Sequence, residues 1–279
     1  MKVAIVGYGF VGKALHNALK DDVQVIRIDP TLGTSIDEIV SFKPQFVFLT
    51  LPTPMKKNGS QDISIIKNTF KELSNLKIRS NIILKSTVTP DNLLYLSKSM
   101  DFIYNPEFLR EKSANSDFIN GKIIIFGGSN KLCEEASNFY SSYTLCKEKE
   151  HFITDIVSAS LVKYTVNSFL ATKVIFFNQL KSLLDLSDSD ESWENFIKIV
   201  SSDNRIGNSH MSVPGHDGRK GFGGACFPKD ISALESFANS KGFDFSLIKE
   251  VIKVNNQIRS VYNDLTSRES EQNITFKGE

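Results

Sequence analysis

The fold is decided by residues 3–12, which read VAIVGYGFVG. Four apolar residues predict a short buried strand, and Gly7, Gly9 and Gly12 follow it at the spacing of a tight turn that leads into a helix. Glycines in such a turn let a pyrophosphate approach the backbone, and the helix N-terminus adds N–H donors and the positive end of its dipole. The stretch predicts the first strand, turn and helix of a dinucleotide-binding sheet.

An acidic residue supports this prediction. Asp29 ends the second predicted strand, about 20 residues after the glycines, where a carboxylate can accept hydrogen bonds from a ribose 2′-OH. The same carboxylate repels a 2′-phosphate, so NAD is favoured over NADP. A glycine motif alone is a weak signal, and a glycine-rich turn without a ligand is the alternative, but strand, glycines, helix and acid together are specific.

Strand and helix patterns alternate over the first 130 or so residues. Continuous Val, Ile, Leu and Phe runs between helices predict a parallel sheet covered on both faces, so the fold class is α/β with a Rossmann-like doubly wound sheet. The predicted strands are Val3–Val6, Val23–Ile28, Phe46–Thr50, Ile82–Lys85, Phe102–Tyr104 and Ile123–Phe126, and the predicted helices are Val11–Leu19, Ile63–Leu76, Asp91–Lys98 and Lys131–Tyr143.

The pattern changes after about residue 150. Asp155–Leu184 contains no Pro or Gly, and its apolar residues recur at steps of three and four. A helix of about 30 residues is ~45 Å long, so we expect it to connect the sheet to an all-helical second domain and to carry a subunit interface. Further helices are predicted at Trp193–Ser201, Asp230–Lys241 and Phe245–Leu265. The predicted domains are residues 1–150 and 151–265, followed by a polar, frayed tail at 266–279.

Composition limits the function classes. The 279 residues include 33 Lys and Arg and 32 Asp and Glu, so the net charge of +1 favours neither a nucleic acid nor a membrane surface as partner. No apolar run is long enough to span a bilayer, and Gly7 interrupts the apolar start, which argues against a secretion signal. Cys133, Cys146 and Cys226 are an odd, scattered set typical of free thiols in a reducing compartment. We expect a cytoplasmic protein.

The most informative stretch is residues 221–230, GFGGACFPKD. Its glycines lead to Cys226, and Pro228 predicts that a helix begins there, because Pro is tolerated in a first turn. A thiol at a helix N-terminus beside Lys229 is expected to have a lowered pKa and to be a better nucleophile. Asp230, four residues on, lies on the same helical face. The alternative is a buried, inert cysteine.

Three other groups carry candidate chemistry. Lys163 and Asn167 are one turn apart on the long helix, where an amine and an amide can hold an oxyanion. Glu107 and Glu111 follow a strand end, the place where doubly wound sheets bind ligands. Thr87 follows the fourth strand, which can bring its hydroxyl near a nicotinamide. Taken alone, each group has a plain structural alternative; Lys163 by itself is more often a solvated residue.

Together, seven motifs resemble one family, the nucleotide-sugar 6-dehydrogenases, and among them the members that act on UDP-glucose. They occur in the family's order and cover residues 1 to about 260. The motifs are GYGFVG (7–12), LPTP (51–54), KSTVTP (85–90), YNPEFLRE (104–111), KYTVNSFLATKVIFFNQ (163–179), RIG (205–207) and PGHDGRKGFGGACFPKD (214–230).

The resemblance implies a four-electron oxidation of the sugar C6 alcohol to a carboxylate, with two NAD⁺ used in turn. Cys226 would attack the C6 aldehyde to give a thiohemiacetal, a second hydride transfer would give a thioester, and water would hydrolyse it. Lys163 and Asn167 would stabilise oxygen charge at C6. Asp230 and Thr87 would position the water.

The resemblance also implies binding residues, a homodimer built on the long helix and no metal. Glu107 would assist proton transfer in hydrolysis, and Arg205 would reach the substrate of a neighbouring subunit. Residues implied around NAD are Gly7, Gly9, Phe10, Val11, Gly12, Asp29, Thr53, Thr87, Glu111 and Lys229. Those implied around the nucleotide sugar are Glu107, Phe108, Leu109, Arg110, Lys163, Asn167, Arg205 and Gly223.

Length is the main departure from the family, whose members carry a third, C-terminal α/β domain that closes over the nucleotide and adds a basic contact to NAD. This chain stops where that domain would begin, so the third domain is expected to be absent. Three interpretations follow: an active dehydrogenase that makes UDP-glucuronate, a protein that binds NAD or nucleotide sugar without turnover, or a two-electron dehydrogenase of the β-hydroxyacid type. The last also pairs a Rossmann domain with a Lys-x-x-x-Asn helix.

Overall fold

A computed structural model describes residues 1–146 and 150–277. Its contacts divide the chain into two compact units. The first consists of Met1–Thr53 and Asp62–Lys163, and the second of Pro54–Gln61 and Tyr164–Glu279. These units are defined by contacts and do not test the predicted domain limits at residues 150 and 265, which stay a prediction.

The first unit is built on a seven-stranded sheet in the order β2-β1-β3-β4-β5-β6-β7. Neighbouring strands are parallel except β5 and β6, so the predicted all-parallel sheet is wrong at that one pair. The sequence prediction also lacks β7, whose mixed, largely exposed residues do not form an apolar run. The strands are β1 (Lys2–Val6), β2 (Gln24–Ile28), β3 (Phe46–Leu49), β4 (Asn81–Leu84), β5 (Ile103–Tyr104), β6 (Ile123–Gly127) and β7 (Glu150–Thr154).

Helices cover both faces of this sheet, as predicted. Successive side chains of a strand point to opposite faces. Accordingly, Val3 and Ile5 of β1 belong to one apolar cluster, whereas Ala4 and Val6 belong to another. The α/β, Rossmann-like fold class is therefore confirmed.

The helices of the first unit agree with prediction within a few residues, apart from two. The prediction missed α2 and α5, which have five and seven residues and so show few turns of a helical period. The equally short α4, which has a Pro in its first turn, was predicted. The helices are α1 (Phe10–Ala18), α2 (Glu38–Phe42), α3 (Ser64–Asn75), α4 (Pro90–Leu96), α5 (Ala114–Asn120), α6 (Asn130–Tyr143) and the first part of α7 (Ile156–Leu186). Single 3₁₀ turns occur at Pro30–Leu32 and Glu111–Ser113.

The candidate residues that follow strands in the first unit lie near the carboxyl ends of those strands. Backbone bonds continue the ladder one residue beyond the strands, from Gly7 N–H to Ile28 O (2.8 Å) and from Asn105 N–H to Leu84 O (2.8 Å). The chain therefore leaves β1, β3, β4 and β5 at the same edge of the sheet, the edge at which open α/β sheets bind ligands.

The second unit is helical. Between 164 and 277 the described residues contain helices and no strand, in agreement with the predicted all-helical region. The 31-residue α7 runs through the boundary of the two units, between Lys163 and Tyr164. It is followed by α8 (Trp193–Ser201), α9 (Phe227–Ser240), α10 (Ser246–Arg259) and α11 (Ser267–Glu271). None of the helices in the described part of the chain is both long and apolar enough to cross a membrane.

The expectation of a frayed C-terminal end is wrong for residues 266–276. Thr266 and Glu269 form a capping box at the start of α11, in which each side chain bonds the other's backbone N–H. The Glu269 and Ile274 side chains are buried. Polar composition misled the prediction, because these polar groups are satisfied by bonds within the fold.

Gly12 gives a direct test of the glycine turn. A Cβ at Gly12 would lie 2.4 Å from Gly7 O, whereas a Cβ at Gly9 would meet nothing within 4 Å. We expect Gly12→Ala to lower the free energy of unfolding by about 1–3 kcal/mol, as overpacking does, and Gly9→Ala, the matched control, by less than about 1 kcal/mol. Urea unfolding followed by circular dichroism measures both; equal losses would contradict the packing role of Gly12.

Candidate functional site

The glycine turn between β1 and α1 is tightly held on one side and open on the other. Gly7 has φ +89°, the left-handed region that favours glycine, and a Cβ there would lie 2.7 Å from Thr50 O. The Thr50 hydroxyl in turn donates to Gly7 O. Gly9 is the N-cap of α1 and faces open space, and the first turn of α1 holds no acidic side chain. The turn thus presents an uncovered helix N-terminus, which suits an anion.

Asp29 is fixed at the end of β2. Its Oδ2 accepts the Tyr8 N–H (2.7 Å), and its Oδ1 accepts the Thr31 N–H (2.9 Å) and hydroxyl (2.7 Å). Burial alone would raise the pKa of Asp29, but these hydrogen bonds and the Lys13 charge lower it below the usual value. A carboxylate has about four acceptor positions and these bonds use three, so Asp29 is ionised and can accept one more hydroxyl.

The loops after β3 and β4 are tied together. Thr53 Oγ1 donates to Thr87 O at 3.1 Å, and Ser86 Oγ donates to Leu51 O at 2.7 Å. Thr53 and Thr87 are both buried. Two of the sequence-predicted site residues are therefore neighbours at the sheet edge.

Lys163 and Glu107 are also brought together in the first unit. Lys163 Nζ lies 3.8 Å from Glu107 Oε1, and both side chains are almost completely buried. Glu107 Oε2 accepts the Leu109 N–H at 2.5 Å, and the Phe108 ring centroid is 5.2 Å from Lys163 Nζ. Because desolvation offsets most of the attraction in a buried ion pair, such a pair is weak evidence for a stabilising role. A role in binding or chemistry explains the buried charges of Lys163 and Glu107 better than a contribution to stability does.

Arg110 and Glu111 lie on the surface. The Arg110 guanidinium makes a two-point contact with Asp117, with Nη2 at 2.7 Å from Oδ1 and Nε at 3.0 Å from Oδ2. This hydrogen bonding to Arg110 lowers the pKa of Asp117 to about 2. Glu111 is exposed and begins a 3₁₀ turn. The structure thus pairs the Arg110 side chain within the chain and leaves Glu111 accessible.

Cys226 is the N-cap residue of α9 in the second unit. The helix begins at Phe227 with Pro228 in its first turn, which confirms the predicted start at this point. Cys226 is half-buried, whereas Cys133 and Cys146 are fully buried. Burial raises the pKa of Cys133 to about 11. Of the three thiols, Cys226 is the least buried.

Asn167, Lys229 and Asp230 form a buried group in the second unit. Asn167 Nδ2 donates to Asp230 Oδ2 at 2.6 Å, and Lys229 Nζ bonds the other oxygen, Oδ1. Asp230 N–H also donates to Cys226 O at 2.9 Å, as the first turn of α9 requires. The structure therefore brings these three predicted residues together, one helical turn from the thiol.

Arg205 lies in an exposed turn. Its guanidinium bonds the Asp203 carboxylate, with Nε 3.0 Å from Oδ1, and its side chain is 88% exposed. Lys173 of α7 holds the turn, because its Nζ donates to Ile206 O (2.9 Å) and Gly207 O (3.3 Å). Arg205 is thus on the surface, where a second molecule can reach it.

The glycine loop at 221–224, just before Cys226, is held through its backbone. Its first, second and fourth N–H groups donate to Asn178 Oδ1 (2.9 Å), Asn255 Oδ1 (2.7 Å) and Glu269 Oε1 (3.0 Å). The Asn255 amide also donates to the carbonyl of the second residue at 3.0 Å. Four hydrogen bonds with side chains of α7, α10 and α11 therefore fix the loop that leads to the thiol.

Arg259 is buried beneath this loop. Its Nη2 donates to Glu269 Oε1 and its Nη1 to Asp217 Oδ2, both at 2.8 Å. Burial would raise the pKa of Glu269, but hydrogen bonds from the Thr266 and Gly224 N–H groups and the Arg259 charge lower it below the usual value. The carboxylate is therefore ionised in the folded protein. Across the described residues no group of His, Cys, Asp and Glu is arranged to hold a metal ion.

Comparison with known proteins gives the family. Residues 31–144 match the NAD binding domain of the UDP-glucose/GDP-mannose dehydrogenase family, and residues 157–257 match its central domain. The chain belongs to this family. The first unit therefore contains the family's NAD-binding domain, in agreement with the cofactor predicted from the sequence.

Relatives and solved structures agree. The UDP-glucose 6-dehydrogenase of Rickettsia felis is 36% identical over 219 residues, which are 76% of this chain and 47% of that protein. That of Rickettsia bellii is 36% identical over 227 residues, 78% of this chain and 50% of that protein. The chain thus spans about half the length of these curated relatives.

Two solved structures show the same fold. A UDP-glucose dehydrogenase from Pyrobaculum islandicum has a TM-score of 0.75 and 24% identity, covering 91% of this chain and 67% of its own. A Mycobacterium tuberculosis 3-hydroxyisobutyrate dehydrogenase has a TM-score of 0.70 and 17% identity, covering 95% of both chains.

Several residues at the site lie outside the matched family domains. The glycine turn and Asp29 precede residue 31, and Arg259 and Glu269 follow residue 257, so only the structure places them. The prediction included the turn and Asp29 but not Arg259, Glu269 or Asn255. One signal for Glu269 was present, since Thr-x-x-Glu at 266–269 is a capping-box sequence, although it does not reveal the second bond, to Gly224.

We expect acid pH to lower the free energy of unfolding of this protein, and part of that loss to come from protonation of Glu269. The pKa of Glu269 is lowered in the folded state, so its contribution is complete above its unfolded pKa, about 4.3, and is lost as the pH falls through the folded value. In Glu269→Gln that part of the loss is absent. We expect the urea midpoint to fall less between neutral and acid pH in Glu269→Gln than in wild type, although the variant is less stable at neutral pH because Arg259 loses a charged partner.

The fluorescence of Trp193, the one tryptophan of the sequence, measures this unfolding in the second unit. Glu271→Gln is the control, because Glu271 lies on the same helix but its side chain is largely exposed and pairs with Arg268. Parallel acid profiles for wild type and Glu269→Gln would contradict the prediction.

Proposed function

We propose that this chain is a nucleotide-sugar 6-dehydrogenase that oxidises UDP-glucose to UDP-glucuronate with two NAD⁺ and a covalent intermediate on Cys226. The observation that carries the proposal is the position of Cys226. Cys226 is half-buried at the N-terminus of α9, while the other two cysteines are buried. An alcohol dehydrogenase that stops at the aldehyde needs no nucleophilic thiol, whereas a four-electron oxidation gains a tether for the aldehyde.

The residues of the first unit fit NAD. The open face at Gly9 suits the pyrophosphate and the remaining acceptor position of Asp29 suits a ribose hydroxyl. We assign Thr53, Thr87 and Glu111 to the same ligand, together with the backbone of residues 10–12. Lys229, of the second unit, is assigned to NAD from the family resemblance alone. When bound, NAD⁺ supplies the hydride acceptor for each oxidation.

The first oxidation removes a hydride from C6 of the sugar and a proton from its hydroxyl. The Lys163 ammonium and the Asn167 amide are assigned to the oxygen, where they stabilise the negative charge that develops. Lys163 Nζ lies 3.8 Å from Glu107 Oε1, and Asn167 is held in place by Asp230. Both groups are pre-oriented by a carboxylate. The backbone of Phe108–Arg110, with Arg205 and Gly223, is assigned to the nucleotide sugar.

The second half uses the thiol. A bond forms between Cys226 Sγ and C6, and the thiol proton passes to the aldehyde oxygen to give a thiohemiacetal. Loss of a second hydride and of the hydroxyl proton leaves a thioester. Water then attacks C6, the C–S bond breaks, and the sulfur is again a thiol beside a free carboxylate. Asp230 and Thr87 are assigned to the water, and Glu107 to its proton.

We also propose that the chain forms a homodimer through α7. Phe169, Phe176 and Leu183 are exposed and follow one another at seven-residue steps, so they form one apolar stripe along the helix. Leu186 extends the exposed apolar surface at the end of α7. A stripe of this kind on a soluble protein marks a contact surface.

Cys226→Ala tests the chemistry. We expect wild type to form two NADH for each UDP-glucose consumed and Cys226→Ala to lose at least 10³-fold in turnover, because the covalent route is closed. NADH absorbance and product analysis measure both, and Cys133→Ala is the control because that thiol is buried in the sheet core.

Other outcomes identify the alternatives. One NADH per substrate and indifference to Cys226→Ala would indicate a two-electron dehydrogenase. Calorimetric binding of NAD⁺ and UDP-glucose without NADH formation would indicate a binding protein. A panel of nucleotide sugars in the same assay tests the assignment of UDP-glucose.

Phe176→Glu tests the dimer. A charge in the middle of the stripe must be desolvated on association, so we expect the variant to be monomeric at concentrations at which wild type is a dimer. Light scattering during size exclusion measures the mass. Leu247→Glu on α10 is the matched control, because Leu247 and Phe176 are each 59% exposed. A monomeric wild type, or a dimeric Phe176→Glu, would refute the α7 dimer.

A further inference from the structure

We propose that Glu269 is a positioning residue for Cys226, acting through the glycine loop at 221–224. The proposal rests on the role of Cys226 proposed above. It assigns a function in catalysis to the C-terminal residues 266–276, which carry none of the sequence motifs.

One carboxylate oxygen makes the connection. Glu269 Oε1 accepts both the Gly224 N–H (3.0 Å) and Arg259 Nη2 (2.8 Å), while Oε2 accepts the Thr266 N–H (2.8 Å). Glu269 is completely buried. Gly224 precedes Cys226 by two residues, so the position of this carboxylate sets the direction from which the chain enters α9.

Gly223 lets the backbone of the loop lie directly against Arg259 and Glu269. A Cβ at Gly223 would lie 2.0 Å from Arg259 Nη2 and 2.3 Å from Glu269 Oε1. Any side chain at Gly223 would therefore push the ion pair away from the backbone. The glycine is required because backbone and ion pair are in direct contact, and flexibility alone would not require it.

Arg259 also connects Glu269 to Asp217, which precedes the glycine loop. Its Nη1 donates to Asp217 Oδ2 at 2.8 Å, while its Nη2 bonds Glu269. The guanidinium therefore links Asp217, before the glycines, to the carboxylate that holds Gly224. With both ends fixed, the segment 217–224 has little freedom to move the thiol.

Stability alone is a poor explanation for the pair. Two charges buried this deeply lose their hydration, and apolar residues of similar volume can replace such a pair with little change in stability. Apolar residues have no acceptor for the Gly224 N–H, however. The Glu269 carboxylate is thus explained by its hydrogen bond with the Gly224 N–H.

The experiment tests whether the hydrogen-bond acceptor at position 269 matters apart from the stability of the ion pair. In the double variant Arg259→Met/Glu269→Leu, both charges of the fully buried pair and the acceptor are removed together. Asp217 loses its bond to Arg259, but its side chain is 27% exposed and keeps the Arg219 N–H as a donor. Glu269→Gln keeps an oxygen that can accept the Gly224 N–H. Glu271→Gln, on the same helix, is the control. Trp193 fluorescence shows that the second unit is folded in each protein before it is assayed.

Two readouts are measured. The first is the rate at which iodoacetamide modifies Cys226, followed by mass spectrometry; we expect it to rise at least fivefold in the double variant, because the half-buried thiol gains freedom. The second is NADH formation; we expect kcat to fall at least tenfold with KM for NAD⁺ within threefold of wild type. Glu269→Gln should lie between wild type and the double variant, and Glu271→Gln should match wild type.

The outcomes separate the two proposals. A folded double variant whose Cys226 reacts at an unchanged or slower rate would overturn the positioning role, whatever the enzyme assay shows. A wild type that forms no NADH would overturn the proposed function, while the alkylation rates would still decide whether Glu269 positions the thiol. If the double variant does not fold, Glu269→Gln decides the matter: a folded Glu269→Gln whose Cys226 is alkylated at the wild-type rate would overturn the positioning role.

Discussion

Backbone atoms at Gly12 and Gly223 lie so close to their neighbours that a methyl group has no room, and the candidate chemistry of both units depends on these contacts. At Gly12, α1 packs on β1 and leaves its N-terminus at the sheet edge. At Gly223, the loop before α9 rests directly on Arg259 and Glu269. In each case the glycine brings a helix N-terminus to a defined place, and a helix N-terminus is where the fold offers positive potential.

The charges of the chain are almost balanced overall, yet several are buried in pairs. Lys163 is paired with Glu107 in the first unit, and Lys229 with Asp230 and Arg259 with Glu269 in the second. Buried pairs of this kind contribute little net stability, so the three pairs named here need another explanation. Each lies beside a group to which the proposed reaction assigns a role: oxygen charge, water or the thiol.

Sequence alone predicted the sheet, the long helix and the start of α9, because each has a strong local signal: apolar runs, an uninterrupted helical period, and glycines followed by Pro228. It missed β7, α2 and α5, which are short or exposed. It made Asn167 and Asp230 parts of one catalytic site only through family resemblance, and it did not predict the hydrogen bond between them. It missed Glu269 because the bond to Gly224 joins residues 45 positions apart, and no periodicity in the sequence reports a contact of that kind.

In the proposed reaction, Cys226 forms a bond to carbon, keeps it through an oxidation and releases it again, so it has to return to one orientation at every step. Glycine-rich chain does not hold an orientation by itself, because glycine loses more conformational freedom on ordering than any other residue. Here three side-chain acceptors, on α7, α10 and α11, each bind one N–H of the loop. The order that the glycines lack is thus supplied by the surrounding helices. A Cβ at Gly221 would lie 2.7 Å from Asn255 Oδ1 and one at Gly223 would lie 2.3 Å from Glu269 Oε1, so glycine at these two positions lets those acceptors come close.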